Sequence, residues 1–161
     1  RVQVVYVRMS EENVARGIAL PWVSFASDAR SMTTAGSFIE QSTHPRAYGN
    51  FARVLGKYVR EEQIISLPEA IRKLSKLPAS NLKIRDRGEL RESYFADIVI
   101  FDPADIQDHA TFDDPHQYAT GMAYVIVNGD IVIDKGEHTG ALPGQVVRGP
   151  GWRGWKDSDT N

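Results

Sequence analysis

The stretch MSEENVARGIALPWVSFASD, residues 9 to 28, carries the pattern that decides the predicted fold. Ser10 suits a helix N-cap, and the two glutamates that follow it suit the positive end of a helix. Apolar residues recur at helical spacing until Pro21, which ends the helix. Residues 22 to 26, WVSFA, favour a short buried strand, and the run VQVVYV at residues 2 to 7 favours another. A strand, a helix and a strand in this order predict a parallel α/β sheet.

Asp28 stands directly after the predicted strand and ahead of a long polar loop. In α/β barrels and open α/β sheets, functional groups lie at the carboxyl ends of the strands. A carboxylate at that place is a candidate catalytic group, and the alternative is an ordinary loop or cap aspartate. The pattern alone leaves both interpretations open.

The second candidate is the tripeptide His44-Pro45-Arg46. Pro45 restrains the backbone of His44, and the planar guanidinium of Arg46 matches the geometry of a carboxylate. The alternative is a surface loop with an unremarkable arginine. The four histidines of the chain form no HxH or HExxH motif, and the chain has no cysteine, so no self-contained zinc site is predicted.

Two further helices and three strands are predicted downstream. Apolar residues recur at helical spacing from residue 51 to residue 59, and Ser66 with Glu69 forms a capping box for a second helix that Pro78 ends. The buried stripe of that helix is Leu67, Ala70, Ile71, Leu74 and Leu77. Residues 95 to 103 predict a strand. Residues 123 to 134 contain two β-branched runs separated by Asn128-Gly129. This dipeptide is typical of a hairpin turn, so the stretch predicts a β-hairpin. The predicted divisions are an α/β part at 1–82, a β-rich part at 83–148 and a flexible tail at 149–161.

The composition narrows the class of protein. The 161 residues carry a formal net charge of −2, with 42% apolar and 25% charged residues, as in ordinary globular proteins. Such a charge gives no attraction to nucleic acid or to an anionic membrane, and no apolar run reaches the roughly 20 residues that span a bilayer. The absence of cysteine favours a reducing compartment, and the predicted location is cytoplasmic. Because the chain starts at Arg1 without a signal-peptide pattern, we expect it to be part of something longer.

Four segments together carry a resemblance to a known family. They are MSEENVARGIALPWVSFASDA (9–29), HPRAYGNFARVLGKYVREEQIISLPEAIRKLSKLPASNLKIRDRGEL (44–90), ADIVIFDPADIQDHATFDDPHQYATGM (96–122) and VNGDIVIDKGEHTGALPGQVVR (127–148). These segments resemble the C-terminal third of the N-acyl-D-amino-acid deacylases, or D-aminoacylases, of the metal-dependent amidohydrolase superfamily. The resemblance extends over residues 9 to about 148, which is nearly the whole chain.

The resemblance implies an α/β fold: the last βα units of a TIM-like (β/α)8 barrel, followed by the C-terminal part of a small β-sandwich. Trp22–Ala26 would be the eighth barrel strand, and Asp28 the catalytic acid and base at its end. Arg46 would bind the substrate carboxylate, with His44 beside it in the substrate site. The intact enzyme would use Zn²⁺, held by residues outside this chain, to hydrolyse N-acyl amino acids.

The expected partners are an N-acyl amino acid, and either the missing N-terminal part of the same protein or a second copy of the chain; neither nucleic acid nor a membrane is expected. The chain alone is predicted to be inactive. Ala29 and Ser93-Tyr94-Phe95 stand where the family usually has glycine, which leaves the substrate open. Two alternatives remain: a hydantoinase-like or dihydroorotase-like amidohydrolase, and a non-catalytic β-rich interaction module.

Overall fold

The structure is a computed structural model that describes residues 9 to 152. Helices occupy the first half of this range and strands the second half. The elements are α1 (Glu11–Ala19), α2 (Arg46–Arg53), α3 (Leu67–Leu74), α4 (Lys76–Asn81), β1 (Ile98–Phe101), β2 (Met122–Val127), β3 (Asp130–Asp134) and β4 (Glu137–His138). A short 3₁₀ helix covers Gly36–Glu40, and a π-helical segment, Val54–Glu61, continues α2.

The first predicted helix is confirmed as α1. The Ser10 hydroxyl accepts a hydrogen bond from the Asn13 backbone N–H at 3.3 Å, which satisfies one of the free donors of the first turn. The helix ends at Ala19, ahead of Pro21, and Ile18 is its buried residue. Capping and a proline stop are local signals, which is why the sequence predicts this helix correctly.

The strand predicted at residues 22 to 26 is wrong for the chain as it stands. These residues have irregular backbone, and the side chain of Trp22 is 69% exposed. A strand needs a neighbouring strand to exchange hydrogen bonds with, and within residues 9 to 152 the only sheet is formed by β1 to β4, none of which pairs with this segment. The other half of the predicted parallel pair, at residues 2 to 7, lies outside the described residues. The described sheet is antiparallel throughout.

The helix predicted from residue 51 begins earlier, at Arg46, immediately after Pro45, and its π-helical continuation runs to Glu61. In that continuation the backbone N–H of Glu62 donates to the carbonyl of Lys57 at 2.8 Å, a bond five residues long. The prediction of a helix here is thus confirmed, but the helix starts five residues earlier than predicted.

The capping box predicted for α3 is confirmed in one half. The Ser66 hydroxyl accepts from the Glu69 backbone N–H at 3.4 Å, but the Glu69 carboxylate binds Arg72 and does not return to Ser66. Pro78 does not end this helix: α3 ends at Leu74, and Pro78 lies within the following helix, α4. Ile71, placed in the predicted buried stripe, is 40% exposed, and the neighbouring Lys73 is buried instead.

The hairpin predicted around Asn128-Gly129 is confirmed. Strands β2 and β3 pair antiparallel with Val127 opposite Asp130, and the two turn residues have φ values of 51° and 91°. Positive φ at both positions is what a type I′ turn requires, and it gives the strands their matching twist. β1 pairs with β2, and β4, which the sequence analysis did not predict, pairs with β3 to complete the order β1-β2-β3-β4.

One cluster of buried side chains joins the helices to the sheet. Its fully buried members are Ala70 of α3 and Ile106, which lies between β1 and β2. Phe101 and Met122, from the ends of β1 and β2, pack against this cluster. Residues on both sides of the predicted division at 82/83 therefore share packing, and the division itself stays a prediction.

Of the predicted tail, residues 153 to 161 lie outside the described range. Within that range the Trp152 backbone N–H donates to the carbonyl of Gly149 at 3.0 Å, and the Arg148 guanidinium lies over the Trp152 ring at 4.1 Å. No helix among residues 9 to 152 is long and apolar enough to cross a membrane.

Candidate functional site

The structure brings together the two residues that the sequence analysis singled out first. The Arg46 Nη2 donates to Asp28 Oδ2 at 2.7 Å, although the residues are 18 positions apart. Arg46 is the first residue of α2, and Asp28 stands at the start of the loop before it, with a φ of 47°. Asp28 is 86% exposed at the side chain and Arg46 42% exposed, so both remain accessible to a ligand.

His44 lies beside this pair and fixes the start of α2. Its Nδ1 accepts the backbone N–H of Arg46 at 3.1 Å, a role that requires the neutral ring with its proton on Nε2. Burial, and then the positive charge of Arg46, lowers the pKa of His44 below its usual value, which favours the same neutral form. The ring packs edge-on against Phe112 at 5.0 Å between centroids.

Asp28, His44 and Arg46 all line one cavity of about 1150 Å³. Its walls come from α1, from the loop at 29–43, from α2 and from the loop at 104–120. The first loop is held in place by two tyrosines. Tyr48 donates its hydroxyl proton to the carbonyl of Thr33 at 3.0 Å, and the hydroxyl oxygen of Tyr118 accepts from the backbone N–H of Thr34 at 3.3 Å.

The cavity wall formed by α2 is a polar stripe that the sequence analysis missed. Its members are Arg46, Gly49, Asn50 and Arg53, at the helical offsets 0, 3, 4 and 7. Those offsets place the four residues on one face of a helix, and this spacing was the available signal. The Asn50 side-chain nitrogen is buried in this wall and has no hydrogen-bond partner within the described residues.

Asp108 completes this wall from the loop between β1 and β2. Its side chain is 7% exposed, and its Oδ2 accepts from Arg53 Nη1 at 3.1 Å. The Asp108 Cβ lies 2.9 Å from where a Cβ on Gly49 would stand, so only glycine at position 49 allows this approach. The pair thus ties the site helix to the segment that follows β1.

A further charged group, at the start of α1, lines the same cavity. This group is the carboxylate of Glu11, which accepts from Lys57 Nζ at 2.5 Å and from the Tyr58 hydroxyl at 3.2 Å. The hydrogen bond from Lys57 lowers the pKa of Glu11, and the same bond raises the pKa of Lys57. These contacts hold α1 against the π-helical segment and keep the cavity bounded.

The described residues do not fit a zinc ion. No group of three or more histidine, aspartate or glutamate side chains converges anywhere within residues 9 to 152. The histidines near the sheet make other contacts: His109 Nε2 lies 2.8 Å from the Thr120 hydroxyl, and His138 Nδ1 accepts from the Gly140 backbone N–H at 3.0 Å. A metal centre would need side chains from elsewhere.

Asp28, in a loop, and Arg46, on α2, thus line one cavity beside helices that pack against an antiparallel sheet. Residues 23–133 match the sequence profile of the Amidohydrolase family, and the chain belongs to that family.

Three relatives make the similarity specific. The chain is 41% identical over 144 residues to N-acyl-D-aspartate deacylase of Alcaligenes xylosoxydans xylosoxydans, covering 89% of this chain and 27% of that protein. It is similar to the crystal structure of a D-aminoacylase, with a TM-score of 0.78 and 35% identity over 86% of this chain and 28% of the other.

The third relative is the N-acyl-D-glutamate deacylase of Bordetella bronchiseptica, whose structure holds zinc and a phosphonate that mimics the tetrahedral intermediate. The TM-score is 0.75 and the identity 36%, over 87% of this chain and 28% of the other. The chain therefore spans little more than a quarter of the length of these relatives.

Proposed function

We propose that the chain is the C-terminal portion of a zinc-dependent amidohydrolase that hydrolyses the N-acyl amide bond of N-acyl-D-amino acids. The observation that carries this proposal is the 2.7 Å pairing of Asp28 with Arg46 at the cavity of an amidohydrolase-family chain. The choice of substrate class is supported by the relatives, which are deacylases of N-acyl-D-aspartate and N-acyl-D-glutamate.

In this proposal Asp28 is the general acid and base. Water adds to the acyl carbon, the C–N bond breaks, and the products are a carboxylic acid and a free D-amino acid. Asp28 takes a proton from the attacking water and returns it to the leaving nitrogen, a role that suits a solvent-accessible carboxylate at the cavity.

Arg46 binds the α-carboxylate of the substrate. The hydrogen bond to Asp28 supports this role, because in it the guanidinium already donates to a carboxylate oxygen. His44 orients the residue by accepting its backbone N–H. A neutral ring at His44 also adds no positive charge that would compete for the same carboxylate.

Zinc, when bound, would polarise the amide carbonyl and help to activate water. Since the described residues offer no ligand set, we assign the zinc ligands to the part of the protein that this chain does not span. The same part would supply neighbours for Trp22–Ala26, which we propose as the eighth strand of a TIM-like barrel. The exposed Trp22 supports this assignment, and the sheet β1–β4 would be the C-terminal share of a β-sandwich.

A chimera tests the proposal. Residues 9–152 replace the matching C-terminal segment of the Alcaligenes N-acyl-D-aspartate deacylase, and release of free D-amino acid from N-acetyl-D-amino acids is measured. We expect turnover by the chimera, and neither turnover nor stoichiometric zinc binding by the isolated chain. An active isolated chain would contradict its assignment as an incomplete portion.

Asp28→Asn in the chimera distinguishes an enzyme from an interaction module. Loss of a general acid and base lowers turnover by about 10²- to 10⁴-fold. Asp113→Asn, which changes an exposed acid outside the cavity lining, is the matched control and keeps full turnover. Undiminished turnover in Asp28→Asn would remove Asp28 from the mechanism.

Arg46→Ala distinguishes the deacylase from a ring-opening amidohydrolase. We expect a loss confined to substrates that carry a carboxylate, measured as the ratio of kcat/KM for an N-acetyl-D-amino acid to that for a neutral cyclic amide. Arg85→Ala, at an exposed arginine outside the cavity lining, is the control. An equal loss on both substrates would favour the ring-opening alternative.

A further inference from the structure

Lys73 is a completely buried lysine on α3, with no exposed surface. Its ammonium donates to the main-chain carbonyl of Ile18 and, at 2.7 Å, to that of Leu20, and it lies 5.1 Å from the centre of the Phe25 ring. Within the described residues no carboxylate pairs with it, since Glu69 binds Arg72 at 2.7 and 2.8 Å. A buried cation satisfied only by carbonyls is costly, so its presence calls for an explanation.

The acceptors of Lys73 identify what it does. Ile18 lies in the last turn of α1, and Leu20 is its C-cap, so their carbonyls belong to the end of the helix that carries partial negative charge. The Leu20 carbonyl also accepts from the Val23 backbone N–H at 3.2 Å. The adjacent Arg72 donates to the next carbonyl, that of Pro21, at 2.5 Å. Two neighbouring side chains of α3 thus bind the backbone where α1 ends.

From this point the chain runs directly to Asp28. Residues 22 to 28 have no strand partner within the described chain, so ladder hydrogen bonds do not hold them. Phe25, in the middle of the segment, packs on the core and under the Lys73 ammonium. Lys73 therefore contacts the backbone just before this segment, at Leu20, and the ring of Phe25 within it, three residues before Asp28.

We infer that Lys73 is a positioning residue for Asp28, which acts by fixing the backbone of residues 18 to 21 and the ring of Phe25, with Arg72 as a second donor. The anchoring is a property of this chain, whereas its consequence for turnover rests on the proposed function. An ordinary apolar core residue would fill the same volume without the cost of burying a charge. Replacement by methionine therefore separates packing from anchoring.

Hydrogen exchange measured by mass spectrometry on the chain itself tests the anchoring. In Lys73→Met we expect exchange of the hydrogen-bonded amides of Leu20 and Val23, within the peptide at residues 20 to 28, to speed up about tenfold, with less than about a twofold change in the hairpin at 122–134. Lys76→Met, at an exposed lysine that pairs with Glu89, is the control and leaves the segment unchanged. Unchanged exchange at 20–28 in Lys73→Met would overturn the inference, as would an equal rise in the segment and the hairpin.

Arg72→Met serves if Lys73→Met does not fold. It removes one donor, to Pro21, at a partly exposed position, and we expect a rise of about threefold confined to the same segment. No rise in that segment would overturn the inference.

The chimera gives the catalytic readout. Because Lys73 contacts neither Arg46 nor His44, we expect Lys73→Met to lower kcat about tenfold with KM unchanged. A raised KM with unchanged kcat would overturn the positioning role. An inactive parent chimera would count against the proposed function alone, since the exchange result does not depend on activity.

Discussion

The hairpin at residues 122–134 and the segment at residues 22–26 have similar compositions, but only the hairpin forms strands. Both are rich in β-branched and aromatic residues, and both favour strands. The hairpin forms two paired strands, with Tyr124 opposite Asp134 and Val127 opposite Asp130. The segment forms none, and its tryptophan is exposed.

The difference lies in where each strand finds its partner. The hairpin carries both strands and their turn within thirteen residues, so one local stretch specifies the pairing. If the segment is a barrel strand, as we propose, its partners would come from distant parts of the sequence, since the chain spans only about a quarter of the length of its relatives. In their place, Lys73 and Arg72 hold the backbone that leads into the segment. A segment with strand composition thus forms a strand only where a neighbouring strand is available to pair with it.

The largest expected loss of stability comes from a substitution next to the paired hairpin. Gly121, directly before β2, has a φ of 91°, and a Cβ there would stand 2.5 Å from the Ile106 Cα. Because backbone cannot move aside as a side chain can, we expect Gly121→Ala to lower the free energy of unfolding by about 3 kcal/mol in urea titrations.

Gly129→Ala is the matched control for Gly121→Ala. Gly129 has the same φ of 91°, but a Cβ there meets nothing within 4 Å, so only the backbone strain of about 1 to 2 kcal/mol remains. Equal losses in the two variants would show that the approach to Ile106 does not limit the packing of the sheet.

The next effect concerns the unpaired segment. Phe25 packs on the core whereas Trp22 is 69% exposed, so we expect Phe25→Ala to cost about 2 kcal/mol and Trp22→Ala less than about 0.5 kcal/mol. Urea unfolding of both variants measures this. A larger cost for Trp22→Ala would mean that the segment is covered in solution, as a strand with a partner would be.

The parts of the fold that the sequence predicts are those with local causes. Ser10 caps α1, Ser66 caps α3, and Asn128-Gly129 forms its turn, each through interactions within a few residues. Pro78 shows the limit of such rules, since a proline can end one helix or lie inside the next, and here α4 contains it. The burial of Lys73 was not predictable, because its partners are main-chain carbonyls more than fifty positions away.

The candidate site follows the same rule. The sequence predicts Asp28, His44 and Arg46 as site residues, and in the structure they line one cavity. Their catalytic and binding roles stay predictions. The missed pair, Arg53 and Asp108, spans 55 positions and depends on the close approach that Gly49 permits. Helical spacing could have nominated Arg53 as a neighbour of Arg46 on the face of α2, whereas no local pattern nominates Asp108.

A smaller effect tests the turn of the hairpin. Asn128 has a φ of 51°, its side chain accepts from Arg87, and its Nδ2 donates to the carbonyl of Pro143 at 2.7 Å. We expect Asn128→Ala to lower the free energy of unfolding by about 1.5 kcal/mol, as the sum of strain and lost hydrogen bonds. Asn128→Gly relieves the strain and isolates the hydrogen bonds, so a loss as large as that in Asn128→Ala would rule out strain as a cause.

The smallest expected effect is a pH dependence of the free energy of unfolding that comes from His44, at the end of the loop after Asp28. The hairpin contains no histidine and makes no such contribution. The pKa of His44 is lowered in the folded chain by burial and by Arg46, so just below the usual histidine value the unfolded chain binds more protons at this position. Stability from this group therefore rises as the pH increases through that window and is flat above it.

His44→Asn isolates this contribution, since its amide oxygen can still accept the Arg46 backbone N–H without titrating. The difference in unfolding free energy between the chain and this variant should increase from about pH 5 to pH 7, when measured by urea titration. A constant difference would mean that folding leaves the pKa of His44 unchanged, and a difference that grows towards acid pH would mean that the folded chain favours the protonated ring. Its Nδ1 could then not accept from Arg46, and the geometry that orients the arginine towards Asp28 would need another support.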